Sequence, residues 1–245
     1  MNTGPVREMV GRASGTASKR LLAACALVTV AVVPAPADTE LPGIVVTAPA
    51  NRVPPDVVSR DRARRSPDIH WPSVLSLEWS EMFAHNDIEI DAPCSTVWNH
   101  LVQAERWPQW LPNTGTVKIL DGSHILQKNT RFRWSGLDLP LDSMVFDEYL
   151  PGPVDSKVSE YVPNSRLGWL SYGARTLHGP LCETYHTWLL TPTGARKCRV
   201  IFEEVATGVA ARYARGACPE ITHLNHQRWL QGLKAISEAR NPNGF

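Results

Sequence analysis

The stretch NDIEIDAPCSTVWNHLVQAERWPQWLP, residues 86–112, changes its apolar period in a way that decides the fold. Asn86–Asp91 alternates polar and apolar side chains, the period-two pattern of a strand with one buried face. Pro93 then suits the first position of a helix, where its missing N–H costs nothing. Val97, Trp98, Leu101 and Val102 fall on one face of that helix. A second short helical piece, Ala104 to Trp110, ends against Pro112.

Downstream the pattern is strand-like. Runs at about 115–120, 130–135, 141–149, 156–162, 166–173, 182–190 and 198–207 are separated by turn residues such as Asp121-Gly122 and Pro192-Thr193-Gly194. The connections are too short for crossovers, so neighbours pair antiparallel. The last 28 residues return to helix: Cys218-Pro219 opens it, and Trp229, Leu230, Leu233 and Ile236 form an apolar stripe. One amphipathic helix covers the concave face of a curved sheet only in part. This order of elements therefore predicts an α+β domain with a cavity between sheet and helix.

Ile88-Glu89-Ile90-Asp91-Ala92-Pro93, Val97-Trp98 and Trp107-Pro108-Gln109-Trp110-Leu111-Pro112 resemble the opening of the SRPBCC (START-like) superfamily, especially its polyketide cyclase/dehydrase and lipid-transport branch. Later pieces keep the same order: Val158–Pro163 with Arg166-Leu167-Gly168-Trp169, His186–Pro192, Glu204 ahead of Gly208, and Trp229-Leu230 with Leu233-Lys234. The resemblance runs over residues 85–238. It implies a helix-grip fold, a curved antiparallel sheet of six to seven strands with two short helices, wrapped around a long C-terminal helix and occupying residues 81–240. It also implies binding of lipids, polyketides or aromatic compounds, with catalysis in some members only. Val145–Leu150 and Val158–Val162 both look like the family's central strand, so either 141–149 is an inserted edge element or the register there is misread.

On strand 182–190, Thr184, His186, Trp188 and Leu190 share one face; on 198–207 the matching face is Cys198, Val200, Phe202 and Glu204. A hairpin closed at Pro192–Arg196 puts His186 opposite Phe202 and diagonal to Glu204. Such a pair in an apolar cup acts as general acid and base if burial shifts both groups toward working values; otherwise it is a structural hydrogen bond. Phe132, Trp134, Trp188, Phe202 and Trp229 are the expected aromatic ligand contacts, with Arg131 and Arg133 facing water and His226 at the cavity mouth. His223 and His226 have metal-compatible spacing, but no cysteine or carboxylate spacing completes a ligand set, and a solvated helix face explains them equally. No Gly-rich phosphate loop, nucleophile elbow or zinc-finger spacing occurs. No cofactor or metal is expected.

The 43% apolar content supports a true core, and nine tryptophans suggest an aromatic-lined interior. A net charge of +1 without a basic stripe excludes nucleic acid as a partner class. Residues 1–37 read as an export signal: Lys19-Arg20, an apolar run from Leu21 to Val33, and Ala35-Pro36-Ala37. The apolar run is too short to span a bilayer core of about 30 Å, so no stable membrane span is expected after signal removal. Its loss takes four basic and one acidic residue from 25 and 24, leaving 21 against 23, a near-neutral mature chain. Residues 38–80 are rich in proline, show no sustained period, and read as a flexible tether. The expected product is a periplasmic or secreted protein that encloses a small hydrophobic or aromatic molecule; the alternative is a cofactor-independent cyclase, dehydratase or lyase using His186 and Glu204.

Four cysteines remain after residue 37, and an oxidising compartment favours disulfides, with three possible connectivities. In the helix-grip topology the first strand pairs with the last, which implies Cys94–Cys198 and, by the same logic, Cys182–Cys218; ordinary buried thiols are the alternative.

Overall fold

The computed structural model describes residues 57–111, 114–135, 153–173, 175–176, 179–180, 182–217 and 219–239. The export signal, residues 38–56 of the tether, the strand-like run at 141–149 and Cys218 lie outside the described residues.

Among the described residues, seven strands form one antiparallel sheet: β1 (Met82–Ile90), β2 (Val117–Ile119), β3 (Arg131–Ser135), β4 (Pro153–Val162), β5 (Arg166–Tyr172), β8 (Glu183–Gly194) and β9 (Lys197–Thr207). Their order is β1-β9-β8-β5-β4-β3-β2, and two short strands, β6 (Arg175–Thr176) and β7 (Gly179–Pro180), form a separate ladder. The helices are α1 (Val57–Arg64), α2 (Cys94–Val102), a 3-10 turn (Ala104–Gln109), α3 (Val209–Ala217) and α4 (Ile221–Glu238). This is the expected helix-grip arrangement.

Strand alternation decides which residues meet. Val158, Leu167, Trp169, Trp188, Leu190, Val200 and Phe202 are buried together with Trp229, Leu230 and Leu233 of α4 and with the inner faces of α2 and the 3-10 turn. Trp107 sits in their midst, its indole N–H donating to the Leu101 carbonyl at 2.9 Å. Helix α4 comes close to the 3-10 turn at Gly232, where a Cβ would lie 2.3 Å from the Trp110 carbonyl oxygen. Any larger residue would push the helix away.

β1 and β9 pair from Met82 opposite Ala206 to Ile90 opposite Cys198. The chain leaves β1 beside Cys198, and a Cys94–Cys198 disulfide closes with a Cα–Cα separation of 5.0 Å. The expected Cys182–Cys218 bond is not formed, because Cys182 is a free thiol. The chain leaves β9 through Gly208, whose φ of 110° only glycine adopts without strain. It enters α3, an element absent from the expected order. Its buried face is alanine (Ala210, Ala211, Ala214), and such small side chains carry little apolar signal.

The segment 57–80 corrects the expectation of a flexible tether from 38 to 80. Leu75 and Leu77 pack with Phe83, Tyr185 and Val205, and Ile69 packs with Leu189 and Ile201, all on the sheet face opposite the main core. Trp71 lies edge-on to Phe83 and Tyr185, with ring centroids 5.9 and 6.0 Å away. Asp61 Oδ2 accepts the backbone N–H of His85 on edge strand β1 at 3.1 Å, and Ser66 N–H donates to Glu203 Oε1 at 2.6 Å. The segment is a strap that covers one face and caps an exposed edge. Its anchors are spaced between prolines with no period, so no helical or strand pattern announces them.

Candidate functional site

On the concave face His186 of β8 lies directly opposite Glu204 of β9, and Trp188 lies opposite Phe202. The expected register, with His186 opposite Phe202, is off by two residues. The strands continue into the anticipated turn, with an irregularity between Pro192 and Gly194 and a tight closure in which Gly194 faces Lys197.

From above, α4 adds His226, whose Nε2 stands 3.0 Å from Glu204 Oε2. The same oxygen lies 3.0 Å from His186 Nδ1. Nε2 of His186 is 2.8 Å from Thr184 Oγ1, two residues along the strand. Aromatic rings hold both imidazoles: His226 stacks on Phe202 at 3.6 Å between centroids, and His186 stacks on Trp169 at 5.1 Å. His186, Glu204 and His226 thus offer three ligand atoms within 4.8 Å of one another.

The electrostatics differ from the sequence expectation. Burial pushes the Glu204 carboxyl upward, but His186 and His226 more than offset it and hold it down at about 2. Glu204 is therefore an ionised carboxylate at neutral pH and not a proton donor. Burial lowers the pKa of His226 despite the adjacent Glu204 carboxylate. The Glu204 side chain is 12% exposed and that of His186 8%. Nearby, burial reinforced by Glu204, Glu183 and Glu81 pushes the Cys182 thiol up to about 12.

The predicted aromatic residues come together around this cluster. Phe132, Trp134, Trp188, Phe202 and Trp229 share one core, with Trp188 stacked on Phe202 at 3.8 Å and Trp229 4.8 Å from Trp107. Trp134 donates its indole N–H to Ser156 Oγ at 3.0 Å. The indole nitrogens of Trp169 and Trp188 and the Nδ1 atoms of His186 and His226 are buried without a hydrogen-bond partner among the described residues. Trp107 and Trp169 were not singled out as wall residues from sequence. Trp169 shows its role by the alternation Leu167-Trp169-Ser171, whereas Trp107 sits in a 3-10 turn that has no such period.

Two expectations separate. His223 points away from His226: its Nδ1 meets Asp61 at 2.8 Å and its Nε2 meets Asn86 at 3.2 Å, so the two do not share a metal. Arg133 is exposed and paired with Asp155 at 2.7 Å, on the opposite side of β3 from Phe132 and Trp134. Among the described residues no helix is long and apolar enough to cross a membrane.

Known structures share this architecture. A hypothetical protein, jhp0584, from Helicobacter pylori aligns at 24% identity with a TM-score of 0.60, over 71% of this chain and 98% of that one. The ZhuI aromatase/cyclase from a Streptomyces species aligns at 14% identity with a TM-score of 0.50, over 66% of this chain and 98% of that one. Both likenesses concern the fold. No curated protein matches the sequence. The profile of a family described as polyketide cyclase/dehydrase and lipid transport matches residues 84–238, most of the chain's 245 residues, and the chain belongs to that family.

Proposed function

We propose that the protein is an exported binding protein for a small hydrophobic or aromatic molecule, held between the concave face of the sheet and α4. The observation that carries this reading is the set of unmatched polar atoms inside an aromatic wall. The indole N–H groups of Trp169 and Trp188 and the Nδ1 of His226 are buried and unpartnered, whereas buried polar groups in native proteins are nearly all hydrogen-bonded. A ligand with an apolar body and one or two oxygen acceptors supplies what they lack. The family's description, with its lipid-transport and cyclase members, supports the same reading. Export is supported by the expected signal at 1–37 and by the Cys94–Cys198 disulfide, which suits an oxidising compartment. Titration with the apolar fluorophore phenylnaphthylamine tests the reading. One saturable site should appear, with emission sensitised by tryptophan excitation. Absence of saturable binding overturns it.

A second reading, acid–base catalysis on the bound molecule, is favoured by His186, whose ring lies against the Glu204 carboxylate while Thr184 holds its far nitrogen. In it, His186 carries the proton and ionised Glu204 stabilises the imidazolium. Turnover of the bound compound by the wild type and not by His186→Ala supports this role. An unchanged compound with both proteins leaves binding alone.

A further inference from the structure

We propose that His186, Glu204 and His226 bind one divalent transition-metal ion, with zinc the ion that best fits the ligand set. Glu204 Oε2 lies 3.0 Å from His186 Nδ1 and 3.0 Å from His226 Nε2, and all three ligand atoms fall within 4.8 Å of one another. Zinc sits about 2.0–2.2 Å from imidazole nitrogen and carboxylate oxygen, so ligand atoms around a tetrahedral ion stand roughly 3.3 Å apart. To admit it, the two close contacts would open by a few tenths of an ångström, and the two histidine nitrogens, which lie within 4.8 Å, would close by up to about 1.5 Å.

The hydrogen bonding of His186 is the second, independent observation. If its Nε2–H donates to Thr184 Oγ1, 2.8 Å away, Nδ1 carries a bare lone pair facing a carboxylate oxygen at 3.0 Å. In that tautomer Nδ1 has no hydrogen-bond partner, and the close contact requires a positive centre between the two atoms, a proton or a metal ion. A metal ion resolves it, and Thr184 then serves as the outer partner that metal-bound histidines ordinarily have. Preorganisation favours the same conclusion: two ligands face each other across paired strands and the third comes from α4. The other histidine–carboxylate contacts are occupied differently. His85 and Ser66 N–H share Glu203, and His223 is held between Asp61 and Asn86.

Two histidines and one carboxylate leave a coordination position open, as in zinc sites that bind or activate a fourth ligand. Resting on the binding function proposed above, that position is taken by water or by a donor oxygen of the bound molecule.

The test uses the untagged chain, stripped with chelator and titrated with Zn(II) and Co(II). The expected result is one metal ion per chain by elemental analysis and visible Co(II) bands of a low-coordinate site. Glu204→Gln and His226→Ala should weaken binding about 100-fold or more, while His223→Ala binds like the wild type. If a ligand variant does not fold, Thr184→Val serves instead, with a loss of roughly 10–100-fold. No stoichiometric binding by the wild type, or undiminished binding by the folded ligand variants, overturns the proposal. Phenylnaphthylamine titration of the same metal-free preparation reads the binding function separately, so each claim fails on its own measurement.

Discussion

Glu203 and Glu204 are consecutive residues of β9 and project from opposite faces of the sheet, each against a histidine of a neighbouring strand. Glu203 is fully buried on the strap side, where Oε1 takes His85 Nδ1 at 2.6 Å and Ser66 N–H at 2.6 Å. Glu204 on the concave side keeps 12% of its side chain exposed, and two imidazoles approach one of its oxygens with a nitrogen on each ring left unpartnered. The first arrangement joins strap to sheet. The second leaves imidazole nitrogens that the proposed bound molecule would partner. Pairing a carboxylate with a histidine is thus not a functional signature: Glu203 leaves one oxygen, Oε2, unpartnered in a closed interior, whereas beside the partly exposed Glu204 a nitrogen on each of two imidazoles is unpartnered.

The contrast can be broken by measurement. Glu203→Ala should be the most damaging change, costing about 3–5 kcal/mol in urea unfolding, because it strands His85 and the Ser66 N–H in a closed interior. Glu204→Ala should cost only about 1–2 kcal/mol, since water reaches the vacated position, yet it should abolish binding. Equal losses of stability would erase the distinction. Cys94→Ala should cost about 2–4 kcal/mol by releasing a closure over 104 residues, an effect that disappears when wild type and variant are compared under reducing conditions. Asp61→Ala should cost about 1–3 kcal/mol by freeing the His85 N–H and His223, with faster amide exchange confined to the strap and β1. The smallest effect on stability belongs to Cys182. With the thiol pushed up to about 12, it stays protonated well above neutrality, so peptide-resolved alkylation near pH 8 should run roughly a thousandfold slower in the native chain than in denaturant.

The sheet and long helix were legible because their signals are periodic. Asn86–Asp91 alternates, strands 182–190 and 198–207 show which side chains share a face, and Trp229, Leu230 and Leu233 recur at helical spacing. His186 and Glu204 could be named from that alternation alone. Their register could not, because the hairpin closes tightly with Gly194 opposite Lys197 instead of turning over Pro192–Arg196, and this closure together with the irregularity between Pro192 and Gly194 leaves the pairing two residues from the expected one. His226 is legible as a ligand contact from the sequence, but its contact with Glu204 is not, and only the placement of α4 sends its ring to Glu204 and that of His223 to Asp61. The strap was missed for a related reason. Its anchors Val57, Ile69, Leu75 and Leu77 bind a surface already formed by other elements, and nothing in their spacing encodes that surface.

The assignment of ligand binding to the concave cluster, and not to its neighbour on β9, is tested by native mass spectrometry with organic extraction of the wild type and of Glu204→Ala, each purified from the cell envelope. It predicts a compound of defined mass that co-purifies with the wild type and is lost from the folded Glu204→Ala variant. A wild type that carries no compound, or a compound retained equally by both, would contradict it.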